Sequence, residues 1–141
     1  MEQMEFSMRV STPLDVDAAE AAVREALARE GFGVLARIDI DAALREKLGA
    51  DVGDFRILGA CNPPLAERAI RTNPAIGVLL PCNVVVRRPR GADATIVEAM
   101  DPTAVLRLAS DASLTELAEE ARGRIERAVA SLSPEPRATT G

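Results

Sequence analysis

The chain has 141 residues, a formal net charge of −5, 48% hydrophobic side chains and only three aromatic residues, Phe6, Phe32 and Phe55. That balance fits one domain with one core; it repels phosphate backbones and offers no aromatic platform for stacked bases, which argues against a nucleic-acid partner. There is no histidine, so the commonest general base and the commonest metal ligand are both missing.

Residues 4–10 alternate strictly, with Met4, Phe6, Met8 and Val10 on one side, and predict a half-buried strand. Pro13 and Asp15 open a helix in which Val16, Ala19, Val23, Ala26 and Leu27 recur at helical spacing, and Gly31 ends it as a left-handed cap. Residues 33–40 alternate again, placing Val34, Ala36, Ile38 and Ile40 together; Asp41 is then expected to cap a short helix over 42–48 that Gly49 stops. A third strand is expected over 55–61, a break at Pro63-Pro64, and a short helix over 65–71 that Asn73-Pro74 ends. The run 76–87 is the most hydrophobic in the chain and rich in β-branched residues. It predicts a strand that turns at Arg88-Pro89-Arg90-Gly91 and pairs as a hairpin with another over 95–100. Asp101-Pro102 closes that strand, and 104–108 adds a helical turn. Ser113 and Glu116 have the spacing of a capping box, opening a last helix with Leu114, Leu117, Ala121, Ile125, Ala128 and Leu132 on one stripe. The tail 133–141, with Pro134 and Pro136 and no apolar period, is expected to be disordered, which leaves a single domain over 4–132. Because a hairpin replaces regular strand–helix alternation, the fold class is α+β: a largely antiparallel sheet of about four to five strands against two long helices, plus short helices.

Two segments stand out, 59–66 and 79–86, each holding a Cys-Asn pair beside proline. Cys61-Asn62 ends a strand, a place where polar groups are delivered to clefts; equally, Asn62 would bond backbone two residues on in an ordinary turn. Pro81 removes a ladder donor and implies an edge strand or a bulge. Strand parity puts Cys82 with Val78, Leu80, Val84 and Val86, as a small core residue or, if a bulge intervenes, as a site residue. Asn83 then falls on the other face beside Leu79 and Val85, where a buried amide without partners costs roughly 1–3 kcal/mol, so it is tied to backbone or reaches a ligand. Arg56 and Arg68 flank the first segment and suit an anionic ligand or ordinary solvated ion pairs. Asp101 before Pro102 reads as a helix cap that also borders the candidate site. If the thiols of Cys61 and Cys82 converge, they suit a soft cation such as Cu(I) or a dithiol/disulfide cycle, although their separation matches no recognised ligand spacing. For a nucleophilic cysteine only carboxylates such as Glu98 or Asp101, or a lysine or arginine environment, remain in place of a histidine base, which weighs against cysteine hydrolase chemistry.

The segments 30–35, 55–64 and 80–86, followed by Asp101-Pro102, resemble the domain-of-unknown-function-302 family over roughly residues 4–132. The resemblance implies a compact α+β domain, a homodimer and bacterial or archaeal origin. It implies no activity and supplies no catalytic residues.

Together these readings describe a non-catalytic binding or sensing domain that dimerises and holds a small ligand near Cys61, Asn62, Cys82, Asn83, Arg56 and Asp101. No cofactor is called for. The alternative is a thiol protein that uses Cys61 and Cys82 for a soft metal or for redox cycling. No apolar run approaches the ~20 residues that cross a bilayer, no leader-like segment opens the chain, and two cysteines are too few for a disulfide scaffold, so a cytoplasmic protein with reduced thiols and no membrane partner is expected.

Overall fold

The computed structural model of the chain describes residues 1–134, so positions 135–141 of the expected disordered tail lie outside the described residues. Alternation in the sequence becomes six strands: β1 (Glu2–Gln3), β2 (Ser7–Thr12), β3 (Gly33–Ile38), β4 (Asp54–Cys61), β5 (Cys82–Arg88) and β6 (Thr95–Met100). They form one sheet in the order β1-β2-β6-β5-β4-β3, with every neighbouring pair antiparallel. The four or five strands expected are therefore six, because a two-residue strand too short to show a period adds to one edge. The expected hairpin is present as β5 and β6.

The helices are α1 (Val16–Arg29), α2 (Ile40–Leu48), α3 (Pro63–Thr72), α4 (Pro102–Leu106) and α5 (Ala112–Ala130), with 3-10 turns at Pro74–Leu79 and Arg107–Ala109. The two long helices, α1 and α5, pack on one face of the sheet. Met8, Val10, Leu58, Val84, Val86 and Val97 from the strands meet Val23, Leu27, Ile125 and Val129 from those helices, all buried. Each such side chain contributes about 1.5–3 kcal/mol of transfer free energy, and this burial fixes the register of the sheet. Among the described residues no helix is long and apolar enough to cross a membrane.

Several local expectations are corrected by tertiary context. The first long strand begins at Ser7, and Phe6 is exposed rather than inward. In β3 a register shift between Val34 and Ala36 marks a bulge at Leu35. Val34 therefore shares a face with Ala60, while Arg37, opposite Leu58, turns toward the helices and Ile38 turns away. One extra residue thus undoes the strict alternation. The prolines 63 and 64 do not delay α3 but begin it, since an N–H is not needed in the first turn and Asn62 caps it. Asp41 does not cap α2. Its carboxylate accepts from the N–H of Ala42 and, at 3.2 Å, of Phe55, tying α2 to β4. Asp111, not Ser113, caps α5, accepting from both the N–H and the hydroxyl of Ser113.

The largest correction concerns the hydrophobic run 76–87. Asn73 caps a 3-10 turn over Pro74–Leu79, its side chain accepting from Ala75 N, and the strand begins only at Cys82, after a cis Leu80–Pro81 bond. β5 lies between β4 and β6, so Pro81 precedes a central strand and occupies neither an edge strand nor a bulge. Parity from Cys82 onward is as expected, with Cys82, Val84 and Val86 buried. Asn83 faces away from them, opposite Gly59, and is exposed, so its amide needs no protein partner.

Candidate functional site

Where β4 ends and β5 begins, the sheet meets α3, the Pro74–Leu79 turn and the first half of α5 around a cavity of about 290 Å³. The strand ends contribute Ala60, Cys61 and Cys82; α3 contributes Leu65, Ala66, Ala69 and Ile70. Leu79, Leu80 and Pro81 form another wall, and Leu117 and Ala121 of α5 close the far side. Phe32, after α1, Leu35, at the bulge of β3, and Met100, Pro102 and Leu106, at and beyond the end of β6, complete it.

Asn62 organises this end of the molecule. Its Oδ1 accepts from Leu65 N at 3.3 Å, capping α3, and its Nδ2 donates to the carbonyl of Glu30 at 3.4 Å, at the end of α1. Gly31 permits that contact in two ways. Its φ of 84° is left-handed, and a side chain there would place its Cβ 3.0 Å from Asn62 Nδ2. On the other side of the cavity the Pro81 ring sits against Gly59, where a Cβ would lie 2.8 Å from the proline Cγ. Asn62 is thus 8% exposed with donor and acceptor both engaged. It bonds the backbone, as the turn reading expects, but three residues on rather than two.

The two thiols border the same cavity, Cys82 buried and Cys61 partly exposed. Burial, and then the neighbouring Cys61, push the Cys82 thiol up to about 11. Cys82 pairs with Ala60 and Cys61 with Gly33, so the cysteines are diagonal neighbours across β4 and β5. Both are free thiols. Among the described residues no group of three or more Cys, Asp or Glu side chains is placed to hold a metal ion.

The remaining sequence candidates do not line the cavity. Arg56 reaches α1, with Nη2 2.8 Å from Asp17 and Nη1 2.9 Å from Glu20. Glu20 also meets Arg24 and Arg37. Burial would raise the pKa of Glu20, but its hydrogen bonds to Arg56 and Arg24 and the charge of Arg37 outweigh that and hold it below the usual carboxylate range. Asp101, 4% exposed, caps α4 through Thr103 N and Oγ1 and also meets Gln3 and Arg122. Burial again opposes ionisation, and the Thr103 and Gln3 hydrogen bonds with the charge of Arg122 win, leaving its pKa lowered. Glu98 is held by Ser7 Oγ at 2.5 Å and Arg87 at 2.6 Å. Neither Asp101 nor Glu98 lines the cavity, so neither carboxylate offered as a base for a nucleophilic cysteine stands beside the thiols. Arg68 is exposed, 3.9 Å from Glu120.

Cys61, Asn62 and Cys82 are therefore brought together; Asp101 stands between the lining residues Met100 and Pro102 with its carboxylate engaged by Gln3, Thr103 and Arg122, and Asn83 and Arg56 lie elsewhere. The sequence reading missed the apolar side chains that make the wall. Signals for them were present in the stripe Leu65, Ala69 and Ile70 and in the run 76–80, but nothing local showed that these would face one another across a gap.

The class defined by these features is a one-sided α+β domain, an antiparallel sheet with its long helices on one face and an apolar cavity at one end. The family model described as domain of unknown function DUF302 matches residues 7–132, and the chain belongs to that family. It is similar to an uncharacterized conserved protein DUF302 from Bacillus stearothermophilus, known from a crystal structure. The two are 30% identical, with a TM-score of 0.82, over 90% of this chain and 98% of that one. No curated protein gives a significant match.

Proposed function

We propose that this chain is a non-catalytic binding domain that takes a small apolar ligand in the cavity bordered by Cys61, Asn62 and Cys82, and that it works as a homodimer. The observation that carries the ligand reading is the cavity itself: about 290 Å³, close to the lower size of small-molecule sites, with a wall that is almost entirely hydrocarbon. A core of this size has no packing reason to leave such a space, because interiors close to crystal density and each void costs stability. The dimer reading draws on the sheet face away from α1 and α5, where Ile38 is exposed and Ile57, Val85 and Ile96 are only half-buried. A second copy there would remove apolar surface from water.

Toluene, titrated into the full chain and followed by NMR shifts, tests the cavity. Binding should shift residues around Cys61 and Ala69. Ala66→Phe, which fills the space from α3, should weaken binding at least tenfold while leaving the unfolding midpoint within a few degrees. Unchanged binding in that variant would remove the cavity from the account. Sedimentation at micromolar concentration tests the dimer separately, and a monomer there would remove it.

A further inference from the structure

Resting on the reading of this cavity as the ligand site, we propose that its ligand is a single-chain amphiphile, with the alkyl chain in the cavity and the polar end in water. The wall decides what can be buried. Asn62 is the one amide in it, and both ends of that amide are engaged by backbone. The thiols of Cys61 and Cys82 are weak hydrogen-bonding groups. A ligand with a buried hydroxyl, amide or charge would leave that group without a strong partner, a larger loss than any neighbouring apolar contact returns. What enters must be hydrocarbon.

Shape narrows the class. Phe32 is the sole aromatic in the wall, so a flat ring system finds no stacking face opposite it. The volume of about 290 Å³ is that of about ten waters in the liquid, and so of about ten chain atoms. The mouth supplies the remaining observation. Leu35 and Ile70 line the cavity and yet are 71% and 44% exposed, so the space opens to solvent beside them. Apolar side chains in water around an apolar opening suit a chain that emerges past them toward a solvated head group.

The test is a homologous series, n-hexanol to n-dodecanol and the matching alkanoates, titrated below micelle formation into the full chain. Affinity should rise about fourfold per added methylene, the gain expected for burying each one, and level off near about ten carbons. Alcohols and carboxylates should share that slope, because the head group stays outside. Ala66→Phe should weaken the longer members at least tenfold and shift the plateau to shorter chains. Ligand should also slow alkylation of Cys61. If toluene binds but affinity does not depend on chain length, or if only one head group binds, the amphiphile is excluded and the cavity reading stands. If neither toluene nor any chain binds, both fall.

Discussion

Two apolar clusters share helix α5 and are packed differently. Around its second half, Ile125, Ala128 and Val129 close against α1 and the sheet, and large side chains such as Met8, Leu27 and Leu58 are fully buried. Around its first half, Leu114 and Leu117 meet Leu65, Ala69 and Ile76 from short elements, and Leu79, Leu80 and Leu106 are only partly buried. Ala121 packs on both clusters and marks their boundary. The first cluster joins long regular elements whose faces repeat at fixed spacing, so side chains interdigitate. The second joins short pieces, and the alanines of α3 and α5 leave between them the space that the first cluster fills. Polar anchoring differs too: the Glu20 cluster braces α1 against β3 and β4, whereas the cavity has only Asn62.

The sharpest way to break this contrast is a pair of truncations. Leu27→Ala should cost about 3 kcal/mol by urea denaturation, being fully buried among well-packed neighbours, whereas Leu80→Ala, beside an existing space, should cost about 1 kcal/mol. Equal losses would mean that the second cluster is as tightly packed as the first. The thiols give the next largest effect. With its pKa pushed to about 11 from an ordinary 9.0, Cys82 at neutral pH holds about a hundredfold less thiolate than an ordinary cysteine. A thiol-reactive dye should therefore show one fast thiol, Cys61, and one slow one, lost respectively in Cys61→Ser and Cys82→Ser.

Glu20→Gln should cost about 2 kcal/mol, leaving three arginines short of their shared carboxylate. The pH dependence carries a definite sign. Glu20, Glu98 and Asp101 have folded pKa values lowered from 4.5, 4.5 and 3.8. Their contribution is fully present above those ordinary values and is lost as pH falls through the lower, folded ones. Urea midpoints should be level from neutral pH to about pH 5 and decline below, less steeply in Glu20→Gln. The smallest effect is at Asn83, exposed on the open face, where alanine should change stability by no more than about 0.5 kcal/mol.

Much of this contrast was legible in the residues. The caps Asp15, Gly31 and Gly49 and the stripe along α1 follow from local rules, as do the presence of β4 and β6 and the parity of β5 from Cys82 onward, because each depends on a few neighbouring residues. Cys61-Asn62 and Cys82 were found because a Cys-Asn pair beside proline recurs in two segments, although the second was expected inside a strand and not at its start. Arg56 was a candidate because it flanks the first segment and Asp101 because it precedes Pro102 at a strand end, and only their partners, Glu20 on α1 and Arg122 on α5, show them to be braces.

What sequence by itself determined is therefore the set of elements on which a periodic face or a capping group acts over a few residues, together with the pair of segments worth following. Tertiary structure alone decided that residues 76–80 leave the sheet, that β5 lies at its centre, and that Leu35 bulges. It also decided that small side chains distant in sequence face one another across an unfilled space. The physical reason is range: capping and alternation are set by neighbours in the chain, whereas register, strand order and voids depend on the volumes of side chains that meet only after folding.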